Sequence, residues 1–340
     1  MKPIVAITVG DCNGIGPEVA IKAALLPRIR SKCIPLLIGP EDVFAYYAGK
    51  LGRKVNFLPL EICEVRRLGN SSRDSLNLFI PSGFTRYQPT PGKISRGAGA
   101  IAATAIECAV RLAMDGHANA IVTAPISKRS LHKTGILYPG HTEFLQALTG
   151  SKRSVMILSS SSMKVGLASV HVPLRKISTS LTRSGLKSTI RVTLEALRND
   201  WRIRRPRIAI LGLNPHAGEN GDIGREELEI IRPVIRSFKS SKVEGPFPAD
   251  AFFGRLSTSR YDAIVAMYHD QGLIPLKMSA RGTAVNVTAG LPIVRTSPDH
   301  GTAFDIAGKN KANPESMARA IELAVLLARN RTSNTRRQVQ

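Results

Sequence analysis

An α/β fold built on a largely parallel sheet is what this sequence predicts, on three observations. Short apolar, β-branched runs alternate along the chain with stretches of helical periodicity. Several of those runs, Ile4 to Val9 and Ala263 to Met267 above all, are apolar without interruption, as a strand covered on both faces must be. The runs also end abruptly at Gly, Pro, Asn or His, where a chain leaving the carboxyl end of a parallel strand turns into a loop and exposes side chains to a crevice.

Taken in order, Ile4 to Val9 reads as the first buried strand. Gly10-Asp-Cys-Asn-Gly-Ile-Gly16 follows, and Pro17-Glu18 opens a helix running to Leu26, because proline at a first helical position gives up an N–H that has no partner there. The glycine spacing is G-x-x-x-G-x-G and not the dinucleotide fingerprint, so this stretch reads as a structural turn. Pro35 to Ile38 and Val55 to Leu58 are strand-like, and 69–91, rich in Ser, Asn, Pro and Arg, reads as loop. Ile101, Ala105, Cys108 and Leu112 share one face of a long helix that Gly116 stops. Ala120 to Thr123 is a strand, and Gly140-His-Thr-Glu-Phe144 opens a helix. The fragment His141-x-Glu143 lacks the Pro-Cys-x-x-Cys that a zinc deaminase needs. Lys164 to Val172 and Arg207 to Leu211 are strands flanking a helix that presents Ile190, Leu194 and Leu197. A further helix begins near Arg225, and Pro233 predicts a kink or restart in it. Ala284 to Thr288 reads as a last strand, and Asn313-Pro-Glu315 caps a final helix to Ala328.

The chain has 340 residues and is 43% apolar, enough for two lobes with cores of their own. No run approaches the roughly 18 to 20 apolar residues of a membrane span, and Ile4 to Val9 is too short for a signal segment, so a soluble, cytoplasmic protein is expected. Four cysteines, Cys12, Cys33, Cys63 and Cys108, form no C-x-x-C pair, which argues against a disulfide framework and a thiolate zinc site. The formal charge of +23 invites a nucleic-acid reading. Its basic clusters, Arg202 to Arg207 and Arg329 to Arg337, are short and far apart, and aromatics make up only 5% of the chain. A solvated basic surface, or a cleft attracting phosphorylated substrates, accounts for the charge better than a base-stacking platform.

His171, His216 and His269 share a setting: each comes at or just past the end of an apolar run, beside Pro173, Pro215 or Gly272. Singly, such a histidine is ordinarily a packing or surface residue; recurrence in one setting is what points to ligation. Three neutral imidazoles leave a tetrahedral divalent ion one open position, the arrangement of a catalytic site. Nitrogen ligation suits zinc, cobalt or nickel better than magnesium, although availability can override preference. Asp250 or Asp270 could orient such a site, or simply cap a loop. Lys277, Asn286 and Arg295 recur at nine-residue intervals near the last strands, and with His141 and Thr142 at a helix start they form a candidate anion-binding set.

Gly14-Ile-Gly-Pro-Glu18, Gly140-His-Thr-Glu-Phe144, Leu213-Asn-Pro-His-Ala-Gly-Glu219, Gly245 to Asp250, Met267-Tyr-His-Asp-Gln-Gly272 and Thr296-Ser-Pro-Asp-His-Gly-Thr302 together resemble the 4-hydroxythreonine-4-phosphate dehydrogenase family of pyridoxal phosphate biosynthesis. The resemblance runs from Ile4 to about Ala328. It implies a homodimer of two-lobed α/β/α subunits similar to isocitrate and isopropylmalate dehydrogenases, with the active site in the cleft between lobes. On this likeness residues 1–328 form one catalytic unit of two lobes, roughly 1–125 with 290–328 and 126–289, and 329–340 is a basic, frayed tail. The resemblance places metal ligands on His171, His216 and His269, and substrate contacts on His141, Thr142, Lys277, Asn286 and Arg295. It implies NAD or NADP and a divalent zinc, cobalt or magnesium ion as cofactors. The implied reaction is oxidation of the C3 hydroxyl of 4-phosphooxy-L-threonine with decarboxylation to 3-amino-2-oxopropyl phosphate. Related branches act on threonate or erythronate 4-phosphate or on a cyclic dihydrodiol dicarboxylate. Asp250 and Lys277 are the candidates for proton transfer. Cys12-Asn13 departs from the family's usual Pro-Ala, and the basic balance exceeds what the family leads one to expect.

Overall fold

The computed structural model describes residues 2–338 other than 53, 66, 67, 70, 71, 73, 85, 139 and 256. The chain divides into two compact units, residues 1–151 with 291–329, and residues 152–290 with 330–340. In chain order the first stretch holds strands β1 (Ile4–Thr8), β2 (Ile34–Ile38), β3 (Asn56–Leu60), β4 (Ser75–Phe79) and β5 (Ala120–Val122). Its principal helices are α1 (Gly16–Ala24), α2 (Glu41–Lys50), α3 (Arg96–Met114), α4 (Lys128–His132) and α5 (His141–Leu148). The second unit holds β6 (Val155–Ser159), β7 (Lys164–Leu167), α6 (Arg183–Asn199), β8 (Arg207–Leu211), β9 (Lys242–Phe247), β10 (Ala263–Ala266), α7 (His269–Ala280) and β11 (Val285–Ala289). The chain then returns to the first unit through β12 (Arg295–Pro298) and enters the terminal helix α8 (Glu315–Gln338).

Within the first unit the strands run β3-β4-β2-β1-β5-β12, every pairing parallel. All five residues of β1 and of β2 are buried, so the uninterrupted apolar runs follow from cover on both faces. Helix α3 is long and apolar enough by composition to cross a membrane. It is instead the core helix of this unit: Ile101, Ala102, Ala105, Ile106, Ala109 and Leu112 are buried, and it packs on β1, β2 and β5. Ser95 caps it by accepting from the Ala98 N–H.

The Gly10–Gly16 turn is closed packing and not an open anion cradle, since every residue in it is buried. A Cβ on Gly14 would lie 2.9 Å from the Thr302 carbonyl oxygen, and one on Gly16 would lie 2.7 Å from that of Val9. Asn13, one of the two departures from the family pattern, is a hydrogen-bond hub. Its carboxamide donates to the Lys93 carbonyl and the Ser95 hydroxyl, and it accepts from Thr90 N–H and the Tyr87 hydroxyl. An alanine there could make none of these bonds.

Within the second unit the order is β11-β6-β7-β10-β8-β9. β7, β10, β8 and β9 are mutually parallel, while β6 runs antiparallel to both β7 and β11. Alternate residues serve opposite faces. Ile208, Ile210, Val265 and Met267 pack with Leu186, Ile190, Leu194 and Leu197 of α6; Ala209, Leu211, Ile264 and Ala266 pack with Leu273, Leu276 and Ala280 of α7.

Several expectations are corrected. The stretch 69–91 is not all loop, because β4 lies inside it, its polar Ser75 and Asn77 buried beside β2 and β3. Strands β6, β9 and β12 and helix α7 had no distinct signal. The first unit extends past residue 125 to 151 because α4 and α5 pack on α3. Pro233 does mark a restart: a π-helical turn, Glu227–Ile231, gives way there to a short α-helix, Arg232–Arg236. The tail after residue 328 is not simply frayed, since helix α8 continues to Gln338. Its Arg331 guanidinium donates to both carboxylate oxygens of Asp200, at 2.6 and 3.0 Å, and Asp200 is buried. Residues 339 and 340 lie outside the described residues.

Removing Arg331 strands a buried carboxylate, which typically costs about 3 kcal/mol. Arg331→Met should therefore lower the unfolding free energy of the second unit by about that amount in denaturant titration, and adding Asp200→Asn should restore part of it. An Arg331→Met protein as stable as wild type would show that the ion pair contributes nothing.

Candidate functional site

Three neighbouring parallel strands, β7, β10 and β8, each deliver one of the three singled-out histidines just past a carboxyl end. His269 is the first residue of α7. Gly272 lets that helix start close to the sheet, for a Cβ there would lie 2.5 Å from a Val165 methyl and 2.9 Å from the Ala266 Cβ. His269 Nδ1 lies 2.7 Å from the Asp270 carboxylate, which fixes the ring and directs Nε2 away from it. His171 falls beyond the end of β7, because that strand stops at Leu167 and not at Val172. Its ring centroid is 6.1 Å from that of His269.

A ring whose nitrogen holds an ion at about 2 Å has its centroid about 3 Å from that ion, so this pair stands within reach of a shared cation. His216 follows β8 in the next loop and is exposed. It is not gathered with the other two: among the described residues no group of three His, Cys, Asp or Glu side chains stands close enough to hold an ion.

The His216 loop has an unusual backbone. His216, Ala217, Gly218, Glu219 and Asn220 all have positive φ, between 40° and 79°. For residues other than glycine this conformation costs roughly 1–2 kcal/mol each, so a run of it needs a strong anchor. Glu227 supplies one. Its buried carboxylate accepts from the Leu213 and Asn214 N–H groups at 2.7 and 2.8 Å, and from the Asn214 carboxamide at 2.9 Å. A Cβ on Gly218 would lie 2.6 Å from the same carboxylate, so only glycine fits. Sequence reasoning missed Glu227, because an acid in the first turn of a helix reads as a dipole partner.

Of the remaining singled-out residues on this unit, Asp250 is exposed in the first turn of the short helix Ala249–Gly254. Between the two aspartates weighed as orienting groups, Asp270 is the one that hydrogen-bonds an imidazole. Lys277 is exposed on α7, the helix that His269 begins. Asn286 lies on β11, and its buried Oδ1 has no hydrogen-bond partner among the described residues.

The first unit carries the other substrate candidates. Arg295 opens β12 and is 1% exposed; its Nε and Nη2 donate to the Thr123 hydroxyl at 3.2 and 2.6 Å. Burial pulls its guanidinium down to about 9, still charged at neutral pH. Thr123, just past the end of β5, was read only as the end of a strand. His141 and Thr142 begin α5 behind Gly140. Burial first, then the nearby Arg295 charge, hold the His141 imidazole well below the ordinary histidine range, against a hydrogen bond to the Ala124 backbone. Nε2 of His141 is enclosed with no partner among the described residues. With the proton on the nitrogen facing Ala124, Nε2 is an acceptor, suited to a hydroxyl or ammonium group; Arg295 is the anion-binding member of the set.

The family model for pyridoxal phosphate biosynthetic protein PdxA matches residues 31–324. A 4-hydroxythreonine-4-phosphate dehydrogenase of Prosthecochloris aestuarii is 40% identical over 332 residues, covering 96% of this chain and 97% of that protein. Among solved structures, 4-hydroxythreonine-4-phosphate dehydrogenase from Klebsiella pneumoniae superposes with a TM-score of 0.86 at 38% identity, covering 96% of this chain and 98% of the other. A terephthalate 1,2-cis-dihydrodiol dehydrogenase from Burkholderia xenovorans gives 0.66 at 27% identity, covering 96% and 98%. Isocitrate dehydrogenase from Methylococcus capsulatus, 16% identical with a TM-score of 0.51 over 99% and 88%, shares the fold alone.

The state of His141 sets a pH dependence. An unfolded histidine titrates near 6.5 and native His141 well below, so the stability tied to it is complete above about pH 6.5. It is lost as the pH falls further, because the unfolded chain takes up a proton that the native state refuses, at up to about 1.4 kcal/mol per pH unit. In denaturant titrations between about pH 7 and pH 5, His141→Gln should show a shallower loss than wild type. Equal slopes would mean that native His141 titrates normally.

Proposed function

The chain belongs to the family of pyridoxal phosphate biosynthetic protein PdxA, and on that premise we propose that it is an NAD(P)-dependent 4-hydroxythreonine-4-phosphate dehydrogenase. The observation that carries the proposal is the likeness to enzymes of that name across 96% of the chain, at 40% identity. The geometry supports it, because two imidazoles converge at parallel strand ends in one unit and a buried guanidinium stands at a strand in the other.

In this reading C3 of 4-phosphooxy-L-threonine gives up its hydride to the nicotinamide while the hydroxyl on C3 gives up its proton to the protein, leaving a carbonyl. The resulting 3-oxo acid loses carbon dioxide to leave 3-amino-2-oxopropyl phosphate. His171 and His269 would hold a divalent ion, zinc, cobalt or magnesium, with Asp270 keeping the His269 ring oriented; His216, the third ligand in the family likeness, stands on the neighbouring loop and would complete the set only by closing on the other two. When bound, such an ion supplies Lewis-acid charge that favours loss of the alcohol proton. Arg295 binds an anionic end of the substrate through its planar fork, pre-positioned by Thr123. His141 accepts a hydrogen bond from a substrate hydroxyl or ammonium group, and Thr142 and Asn286 offer further polar contacts. Lys277, carried on the same helix as His269, is the stronger of the two candidates for accepting the proton; Asp250 is the other. The enzyme works as a cytoplasmic homodimer, and its surplus of positive charge favours encounter with phosphorylated acids.

Purified protein should form NAD(P)H from 4-phosphooxy-L-threonine, and a chelator should stop it. Arg295→Lys should lower kcat/KM about ten- to a hundredfold, mainly through KM, because the fork is lost while the charge remains. Threonate and erythronate 4-phosphates belong in the same assay. Turnover of one of these alone would move the assignment to a related branch, and no turnover with any of the three would overturn it.

A further inference from the structure

Past the ends of β7, β10 and β8, side chains take over the hydrogen bonding that the strands give up. The β10–β8 register pairs Ala263 with Ile208 and Val265 with Ile210, so the next pair in phase is Met267 with Gly212. These two residues do not meet through their own backbones. The Gln271 side chain stands between them: its Oε1 accepts from the Met267 N–H at 2.7 Å, and its Nε2 donates to the Gly212 carbonyl at 2.6 Å. On the other side of β10, the Ser169 hydroxyl donates to the Met267 carbonyl at 2.7 Å.

A carboxamide has the donor and acceptor of a peptide group, so it continues a ladder as a spacer and does not break it. We infer that Gln271 is a positioning residue, an amide inserted between the ends of β10 and β8 that sets the separation of the loops carrying His269 and His216, with Ser169 fixing the His171 loop against the same Met267. Each of the three loops is thereby referred to one residue. Met267 is two positions before His269, Ser169 two before His171, and Gly212 begins the turn that Glu227 holds in its left-handed form. None of these hydrogen bonds involves an imidazole, so the clasp acts on the positions of the backbones that bear the rings. Neither backbone group could be satisfied by a direct bond without drawing the loops together and narrowing the opening above them.

The inference rests on the reading of His171, His216 and His269 as ligands, and cobalt binding separates the two. Cobalt(II) is titrated into full-length metal-free protein and followed by its visible absorption, whose position and intensity report ligand number and geometry. The variants are Gln271→Glu, which keeps the acceptor and loses the donor, Gln271→Met, which loses both at similar size, and Ser169→Ala as a milder change on the neighbouring loop. The expected order of affinity is wild type, then Gln271→Glu, then Gln271→Met, with a total loss of about ten- to a hundredfold and an altered cobalt spectrum. Circular dichroism and the melting temperature of the metal-free protein identify any variant that has failed to fold, in which case Ser169→Ala carries the comparison through its spectrum. Unchanged affinity and spectrum in folded variants would overturn the role given to Gln271 while leaving the ligands standing. A wild-type protein that binds no cobalt, or a His269→Ala protein that binds it as well as wild type, would overturn the metal reading itself, and this role with it.

Discussion

A parallel sheet that stops must dispose of the backbone donors and acceptors beyond its last rung, and the second unit is organised around how it does so. A buried N–H or C=O left without a partner costs on the order of 1–3 kcal/mol, comparable with a sizeable part of a domain's net stability. Beyond β7, β10 and β8 the partners are the side chains of Ser169 and Gln271, from the loop and helix that carry His171 and His269, and of Glu227, from the turn of helix that follows the His216 loop. Satisfying the backbone and fixing the loops that bear the three histidines are met by one set of residues. The left-handed run from His216 to Asn220 persists because that hydrogen bonding over-determines it.

The first unit solves a different problem, how to keep a full positive charge buried. Arg295 sits on a strand with almost no exposure, and burial costs it part of its basicity without taking its charge at neutral pH. The same charge helps keep His141 neutral, which separates the roles of two residues that sequence reasoning had grouped together as anion holders. Residue type alone gives two bases, one at a helix start and one at a strand. The environment makes one a cation and the other a hydrogen-bond acceptor.

Much of this architecture was legible in the chain, and the failures have physical causes. Uninterrupted apolar runs gave β1, β2, β5, β8 and β10, because burial on both faces leaves little other composition open to a strand. Strand β4 was hidden by Ser75 and Asn77, polar residues buried between two neighbouring strands. Helix α7 was hidden by Pro275 and by a weak apolar pattern, its stability resting on Leu273, Leu276 and Ala280 against the sheet. The histidines were singled out because each follows a legible strand, and the structure brings His171 and His269 together but not His216. The residues that hold their loops were not: Gln271 makes its contacts with Gly212 and Met267, and nothing in the local sequence announces a partner 59 residues away.

That separation says something about how the protein reaches its final form. The Ser169–Met267 bond closes a loop of 98 residues and the Gln271–Gly212 bond one of 59, so neither can exist before β7, β8 and β10 have come to lie side by side. Contacts so distant along the chain are late events during folding. The histidine loops therefore acquire their spacing only in the finished second unit, and a partly collapsed chain, although it already contains all of these residues, has no means of fixing one loop against the next.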